Sequence, residues 1–193
     1  MKKTRVLLLA VVAGLMACSA ASADIAVYWD PAACLTLFPG GEGELSLYAN
    51  VPTQEAIVGW GLDLYYNEAV TTVVDIVYGP LWSEVGHDPT AQDVLDGVDY
   101  NMAAITVAPP PGTVGVSGVV LLATLTFQGL TPGLTSLVLG AHNPPDLNEG
   151  FADDPPPGGF VPWTQTEGCI IVIPEPGTLA LLGLGILGLI RRR

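Results

Sequence analysis

The sequence predicts an all-β domain, an antiparallel β-sandwich or jelly roll, and three observations carry that prediction. Apolar residues alternate with a period of two in several stretches, the repeat of a strand with one buried face. Glycine and proline, 23 and 17 of the 193 residues, cluster between most of these stretches and punctuate them as turns. No long stretch carries an apolar stripe at helical spacing; one or two helical turns over Thr90 to Leu95 are the whole helical expectation within the domain.

In chain order, Ile25 to Trp29 is the first β-like run. Leu45, Leu47 and Ala49 then alternate, followed by Val58, Trp60, Leu62, Leu64 and Tyr66. Val70 to Tyr78 and Tyr100 to Val107 are rich in β-branched and aromatic residues, which fit a pleated surface. Val119, Leu121, Ala123, Leu125 and Phe127 give the longest alternation, and Thr135 to Leu139 and Cys169 to Ile173 close the series. Roughly seven to nine short strands with such punctuation describe a sandwich.

Both ends of the chain differ from this middle. Lys2, Lys3 and Arg5 precede an apolar stretch from Val6 to Met16, and Ala21-Ser22-Ala23 follows, the order of a cleavable secretory signal peptide over residues 1–23. Cleavage is expected after Ala23, with Ala21 and Ala23 as its small-residue signature. Leu15-Met16-Ala17-Cys18 is similar to a lipobox and offers a competing cut that leaves a lipidated Cys18, although Met16 fits that position poorly. At the other end Pro174-Glu175-Pro176-Gly177 leads into an apolar run from Thr178 to Ile190 and then Arg191, Arg192 and Arg193. Two prolines keep the entry extended, the apolar run partitions into a bilayer as a transmembrane sorting helix, and three arginines stay on the cytoplasmic side. The run is 13 residues, short of the roughly 20 that span a bilayer comfortably.

This tail, "PEPGTLALLGLGILGLIRRR", resembles the PEP-CTERM signal of Gram-negative bacteria, with all three parts in order. The resemblance implies recognition by an exosortase-type membrane transpeptidase, removal of the tail over 174–193, and delivery to the cell surface or exopolysaccharide matrix. A plain C-terminal membrane anchor is the alternative. The route is thereby implied, and the role of the cargo is not.

Between the signals, residues 24–173 are enough for one domain with a substantial core and too few for two. All six basic residues lie in the terminal segments, so Asp24 to Ile190 holds neither lysine nor arginine but all 19 carboxylates. Removing Lys2, Lys3 and Arg5 takes the formal net charge from −13 to −16. Phosphate backbones are repelled by such a surface, which excludes nucleic-acid binding. Repulsion among carboxylates is relieved by divalent cations, so calcium is expected to raise the melting temperature; identical melting curves in calcium and chelator would refute this.

Cys18 leaves with the signal peptide, and Cys34 and Cys169 remain, an even number in an oxidising compartment. A disulfide is the expectation, with two buried free thiols as the alternative. Three stretches, "VGWGLDLYYNEAVTTVVDIVYGPLW", "VVLLATLTFQGLTPGLTSLVLG" and the closing "TEGCIIVI", resemble the cohesin and carbohydrate-binding-module superfamily. That resemblance implies a long strand through Trp60 to Tyr66 running into a bend at Asn67-Glu68. It also implies first and last strands side by side, bringing the Cys34 and Cys169 regions together, but no binding residues.

Catalytic signals are weak. His87 and His142 are expected in Gly/Pro-rich loops without a nucleophile motif, and the domain has no lysine or arginine to stabilise a developing anion. Nothing in the spacing of the carboxylates points to a glycosidase pair. Asp93, Asp96 and Asp99, and the group Asp146, Asn148, Glu149, Asp153 and Asp154, have the oxygen chemistry of calcium ligands; neither fits the EF-hand loop, and solvated acidic loops are the plainer reading. No metal site is therefore assigned. "GLGILG" over Gly183 to Gly188 matches a dinucleotide fingerprint but lies in the C-terminal apolar run without room for a βαβ unit. Trp29, Trp60, Trp82 and Trp163 would stack on sugar rings if they shared an exposed face; Trp60 is in phase with Leu62 and Leu64 and reads as core, while Trp82 and Trp163 sit near loops. The expectation is a non-enzymatic exported surface or matrix protein whose sandwich serves protein-protein or structural interaction. The alternatives are a module that binds exopolysaccharide and, behind it, a secreted hydrolase with converging carboxylates.

Overall fold

The computed structural model describes residues 24–88, 100–106, 115–141, 149–153, 160–175 and 177. Among them thirteen strands form two packed sheets: β1 (Ile25–Asp30), β2 (Leu35–Leu37), β3 (Glu42–Val51), β4 (Ile57–Tyr65), β5 (Thr71–Tyr78), β6 (Trp82–Asp88), β7 (Tyr100–Thr106), β8 (Gly118–Gly129), β9 (Gly133–Gly140), β10 (Gly150–Asp153), β11 (Phe160–Val161), β12 (Trp163–Gln165) and β13 (Gly168–Val172). One sheet runs β12-β1-β3-β8-β5. The other runs β11-β10-β4-β9-β13-β2, with β7 also on β4 and β6 beyond β7. The sandwich of the sequence reading is present, and the helical turn expected over Thr90 to Leu95 lies outside the described residues.

Alternation builds the core directly in β3, where Leu45, Leu47, Ala49 and Val51 point inward. In β4, Trp60, Leu62 and Leu64 are buried, as their phase requires. Gly59, Gly61 and Asp63, on the other face of this central strand, are buried too.

β8 departs from the sequence reading. Leu125, Phe127 and Ala123 face inward, yet Val119 is 66% exposed and Leu121 is half-buried, while Val120 and Leu122 take the inward places. A β-bulge is the cause: Leu47 pairs with Ala123 but Tyr48 pairs with Leu121, so Leu122 is an extra residue and the phase flips there. The β5–β6 connection locks the bulge. Gly79 N–H donates to the Leu122 carbonyl (2.9 Å) and the Trp82 indole Nε1–H to the Leu121 carbonyl (2.8 Å). Trp82 is thereby drawn into the core at the start of β6.

The first and last segments cross between the sheets together. β1 belongs to one sheet and β2 to the other; β12 and β13 divide likewise. β1 pairs in parallel with β12, and β2 in parallel with β13, so an otherwise antiparallel sandwich closes on two parallel pairs. Gln165 bridges the crossing: its side-chain amide accepts from Leu139 N–H and donates to the Leu139 carbonyl, both at 2.7 Å. Cys34 and Cys169 are joined by a disulfide across the second parallel pair, closing a sequence separation of 135 residues. Gly168 beside it leaves room for the Trp29 indole, which a Cβ would meet at 2.6 Å.

β9 and β10 are two halves of one partner for β4. Val138 and Gly140 pair with Tyr65 and Asp63, and Gly150, ten residues further along the chain from Gly140, and Phe151 pair with Gly61 and Trp60. At the far end of β4 the chain bends at Asn67, as the resemblance implied. Its side-chain oxygen accepts from Ala69 N–H (3.0 Å) and its carbonyl from Val70 N–H (2.9 Å).

Candidate sorting segment and interaction faces

The sorting segment begins where the sandwich stops. β13 ends at Val172, buried between Gly133 of β9 and Leu37 of β2. Ile173 N–H makes one more ladder bond, to the Leu37 carbonyl at 2.9 Å. Pro174, which has no N–H to donate, ends the pairing, and Pro174 and Glu175 are exposed. Pro176, the apolar run from Thr178 to Ile190 and Arg191, Arg192 and Arg193 lie outside the described residues, as do Ala21 and Ala23. Among the described residues no helix is long and apolar enough to cross a membrane.

The tryptophans are the residues on which a sugar-binding face would depend. Trp29, Trp60 and Trp82 are 2%, 3% and 4% exposed. Trp60 packs edge-on against Trp82 at 6.4 Å between ring centroids, and Trp29 against Phe127 at the same distance. Trp163 is half-buried and lies edge-on to Phe151 at 5.9 Å. Trp82 does sit beside a loop, directly after the Gly79–Leu81 turn, but the indole bond to the bulge carbonyl holds it inside and takes it away from any exposed stacking face.

His87 lies in β6, in register with Met102, and not in a loop as its glycine and proline neighbours suggested. His142, Asp93, Asp96, Asp99, Asp146, Asn148 and Asp154 are outside the described residues. Glu149 is buried beside the start of β10, and Asp153 ends that strand. Among the described residues no group of three or more His, Cys, Asp or Glu side chains is placed to hold a metal ion.

The two outer faces differ. On the sheet centred on β4, Gly59, Gly61, Asp63 and Gly150 are all buried, and the Phe160 ring lies against Gly150. The outer face of the five-stranded sheet is open. Its rows follow from the register: Ala26, Asn50 and Val119; Tyr28, Tyr48 and Leu121; Asp30, Ser46, Thr124 and Val77; Glu44, Thr126 and Asp75; Glu42, Gln128 and Thr72. Apolar and aromatic side chains gather at one end, with Tyr28 and Tyr48 stacked at 5.8 Å, and carboxylates at the other. Ser46 and Thr124 hydroxyls bond between them at 3.0 Å. Sequence reasoning misses this face because an unbroken alternation puts Val119 and Leu121 in phase with Leu125 and Phe127, whereas the bulge at Leu122 turns them outward.

Residues 172–193 match the family model of the PEP-CTERM protein-sorting motif. No curated protein matches the chain. Solved structures do. The seventh ScaB type I cohesin from Pseudobacteroides cellulosolvens is 17% identical, with a TM-score of 0.58 over 79% of this chain and 94% of that one. The Coh-OlpC–Doc435 type I cohesin-dockerin complex from Clostridium thermocellum matches at 15% identity and a TM-score of 0.56, covering 79% and 95% of the two chains. A non-cellulosomal cohesin from the archaeon Archaeoglobus fulgidus matches at 14% and 0.54, covering 82% and 97%. At these identities the likeness is one of fold. The chain is a cohesin-like β-sandwich that runs, without a linker, into a PEP-CTERM protein-sorting motif.

Proposed function

We propose that this is an exported cell-surface protein of a Gram-negative bacterium whose sandwich binds another protein. In this reading residues 1–23 direct export and are removed after Ala23, 24–173 form the working domain, and 174–193 are the sorting signal. The apolar run holds the chain in the inner membrane and Arg191, Arg192 and Arg193 fix its orientation. An exosortase-type enzyme then cuts near Pro174-Glu175-Pro176 and releases the domain to the surface or the exopolysaccharide matrix. The match over residues 172–193 supports the route.

One observation favours a protein partner over a polysaccharide: three of the four tryptophans are in the core, so the sandwich presents no row of exposed indoles. Its open sheet face offers instead a flat surface, apolar at Val119, Leu121 and Val77 and acidic at Glu42, Glu44 and Asp75. A domain without lysine or arginine leaves the cationic side of any ion pair to its partner. The sugar-binding alternative rests on the Tyr28–Tyr48 pair of this face.

Val119→Asp, at a position 66% exposed, tests the assignment without disturbing the core. The reading predicts a cross-linked partner in surface extracts of the host, its loss in the variant, and silence on a glycan array. A partner retained by the variant would move the binding face elsewhere, and glycan binding lost in Tyr48→Ala would establish the alternative.

A further inference from the structure

Four of the large exposed apolar residues gather around the point where the chain leaves the sandwich. Phe38, Leu130, Leu134 and Ile173 are 41%, 39%, 65% and 37% exposed. Their proximity follows from the backbone. Ile173 N–H bonds the carbonyl of Leu37, next to Phe38. Gly40 and Gly41 exchange bonds with Gly129, next to Leu130. Leu134 pairs with Ile171, two residues before Ile173 and on its side of the strand. The amino-terminal end of β1 is at the opposite end of the molecule, where Ala26 pairs with Asn50.

We propose that this apolar rim seats on the lipid surface of the membrane while the tail is attached. The inference rests on the reading of Thr178 to Ile190 as a membrane segment. Only Pro174 to Gly177 separate Ile173 from Thr178, and a fully extended chain covers that span in at most about 17 Å. The headgroup layer takes up about 5–8 Å of it. The apolar run, as a helix, is about 20 Å long against a hydrocarbon core of about 30 Å, a shortfall that draws the junction further inward. The exit end of the domain is thus held against the headgroups, and it carries the side chains that an interface accepts. Glu42, Glu68 and Glu175 flank the rim and oppose anionic lipid, so apolar contact is the attractive part, and seating is expected on neutral vesicles.

The test places single tryptophans in the full chain, reconstituted in phosphatidylcholine vesicles that carry a quenching nitroxide at shallow or deep positions. Phe38→Trp probes the rim, Thr53→Trp the far end and Leu182→Trp the apolar run, each read as quenching beyond that of the parent chain. The proposal expects shallow nitroxides to quench Phe38→Trp about threefold more than Thr53→Trp. Equal quenching at the two positions overturns it, even where deep nitroxides quench Leu182→Trp and so uphold the membrane segment. Quenching at Phe38→Trp without any at Leu182→Trp supports the seating and removes the membrane segment instead. Rim quenching confined to vesicles made from host membrane extract assigns the rim to a membrane protein and overturns the lipid assignment.

Discussion

Replacing Cys34 and Cys169 together by alanine lowers the stability of the sandwich by about 4–5 kcal/mol, the chain-entropy value for a loop of this size. Against the 5–15 kcal/mol typical of single domains, that is about a quarter of the total or more. At about 2–4 °C per kcal/mol for a domain of this length, the melting temperature falls by about 8–20 °C. Location sharpens the expectation. The bridge spans the β2–β13 pair, which has only three paired positions, Leu35 with Ile170, Thr36 with Ile171 and Leu37 with Val172. Without it the amides of β2 and β13 exchange with solvent well before those of β3 and β8. Calorimetry of the oxidised, reduced and double-alanine forms checks both parts; superimposable melts would show that the parallel pairs close the fold unaided.

Gly79→Ala has the next largest effect. A Cβ at this position collides with the Leu121 carbonyl, a backbone atom that cannot swing aside, and its backbone is tied by the bond to Leu122. Opening the bulge is the only relief, and that turns Val120 and Leu122 out of the core. A cost of about 2–4 kcal/mol follows from overpacking together with disturbed hydrogen bonds. Trp82→Phe keeps most of the packing and loses only the indole bond to Leu121, for about 1–2 kcal/mol. Urea unfolding of the two variants checks the order; Gly79→Ala no worse than Trp82→Phe would mean that the bulge does not depend on a bare backbone at Gly79.

The same bulge marks how far the sequence reading reached. β3 and β4 were legible because Leu45, Leu47 and Ala49, and Trp60, Leu62 and Leu64, keep one phase along unbroken strands. β8 was found as a strand but its faces were misassigned beyond Ala123. An extra residue leaves no mark in an apolar run such as Val119 to Leu122, where every position is hydrophobic. β6 was missed since Trp82 to Asp88 mixes polar and apolar residues without period, being held by pairing with β7 and by one indole bond. β10, β11 and β12 have four, two and three residues, too short for alternation to register. Their existence depends on β4 and β1, distant in the chain, offering edges to pair with. The sorting motif was legible in full, because a linear signal is read in the order of its residues and needs no tertiary partner. The open face of the five-stranded sheet was not, since it is assembled from four strands whose register no local pattern fixes.

Function as a sorted, exported module predicts a defined pair of new chain ends. Intact mass of the native protein, recovered separately from membranes, surface matrix and culture medium of its host, reads both at once. The account predicts a chain that starts at Asp24 and ends between Pro174 and Gly177, found outside the membrane fraction. A chain that retains Arg193, or that starts at a lipidated Cys18, would contradict it and make this a membrane-tethered protein.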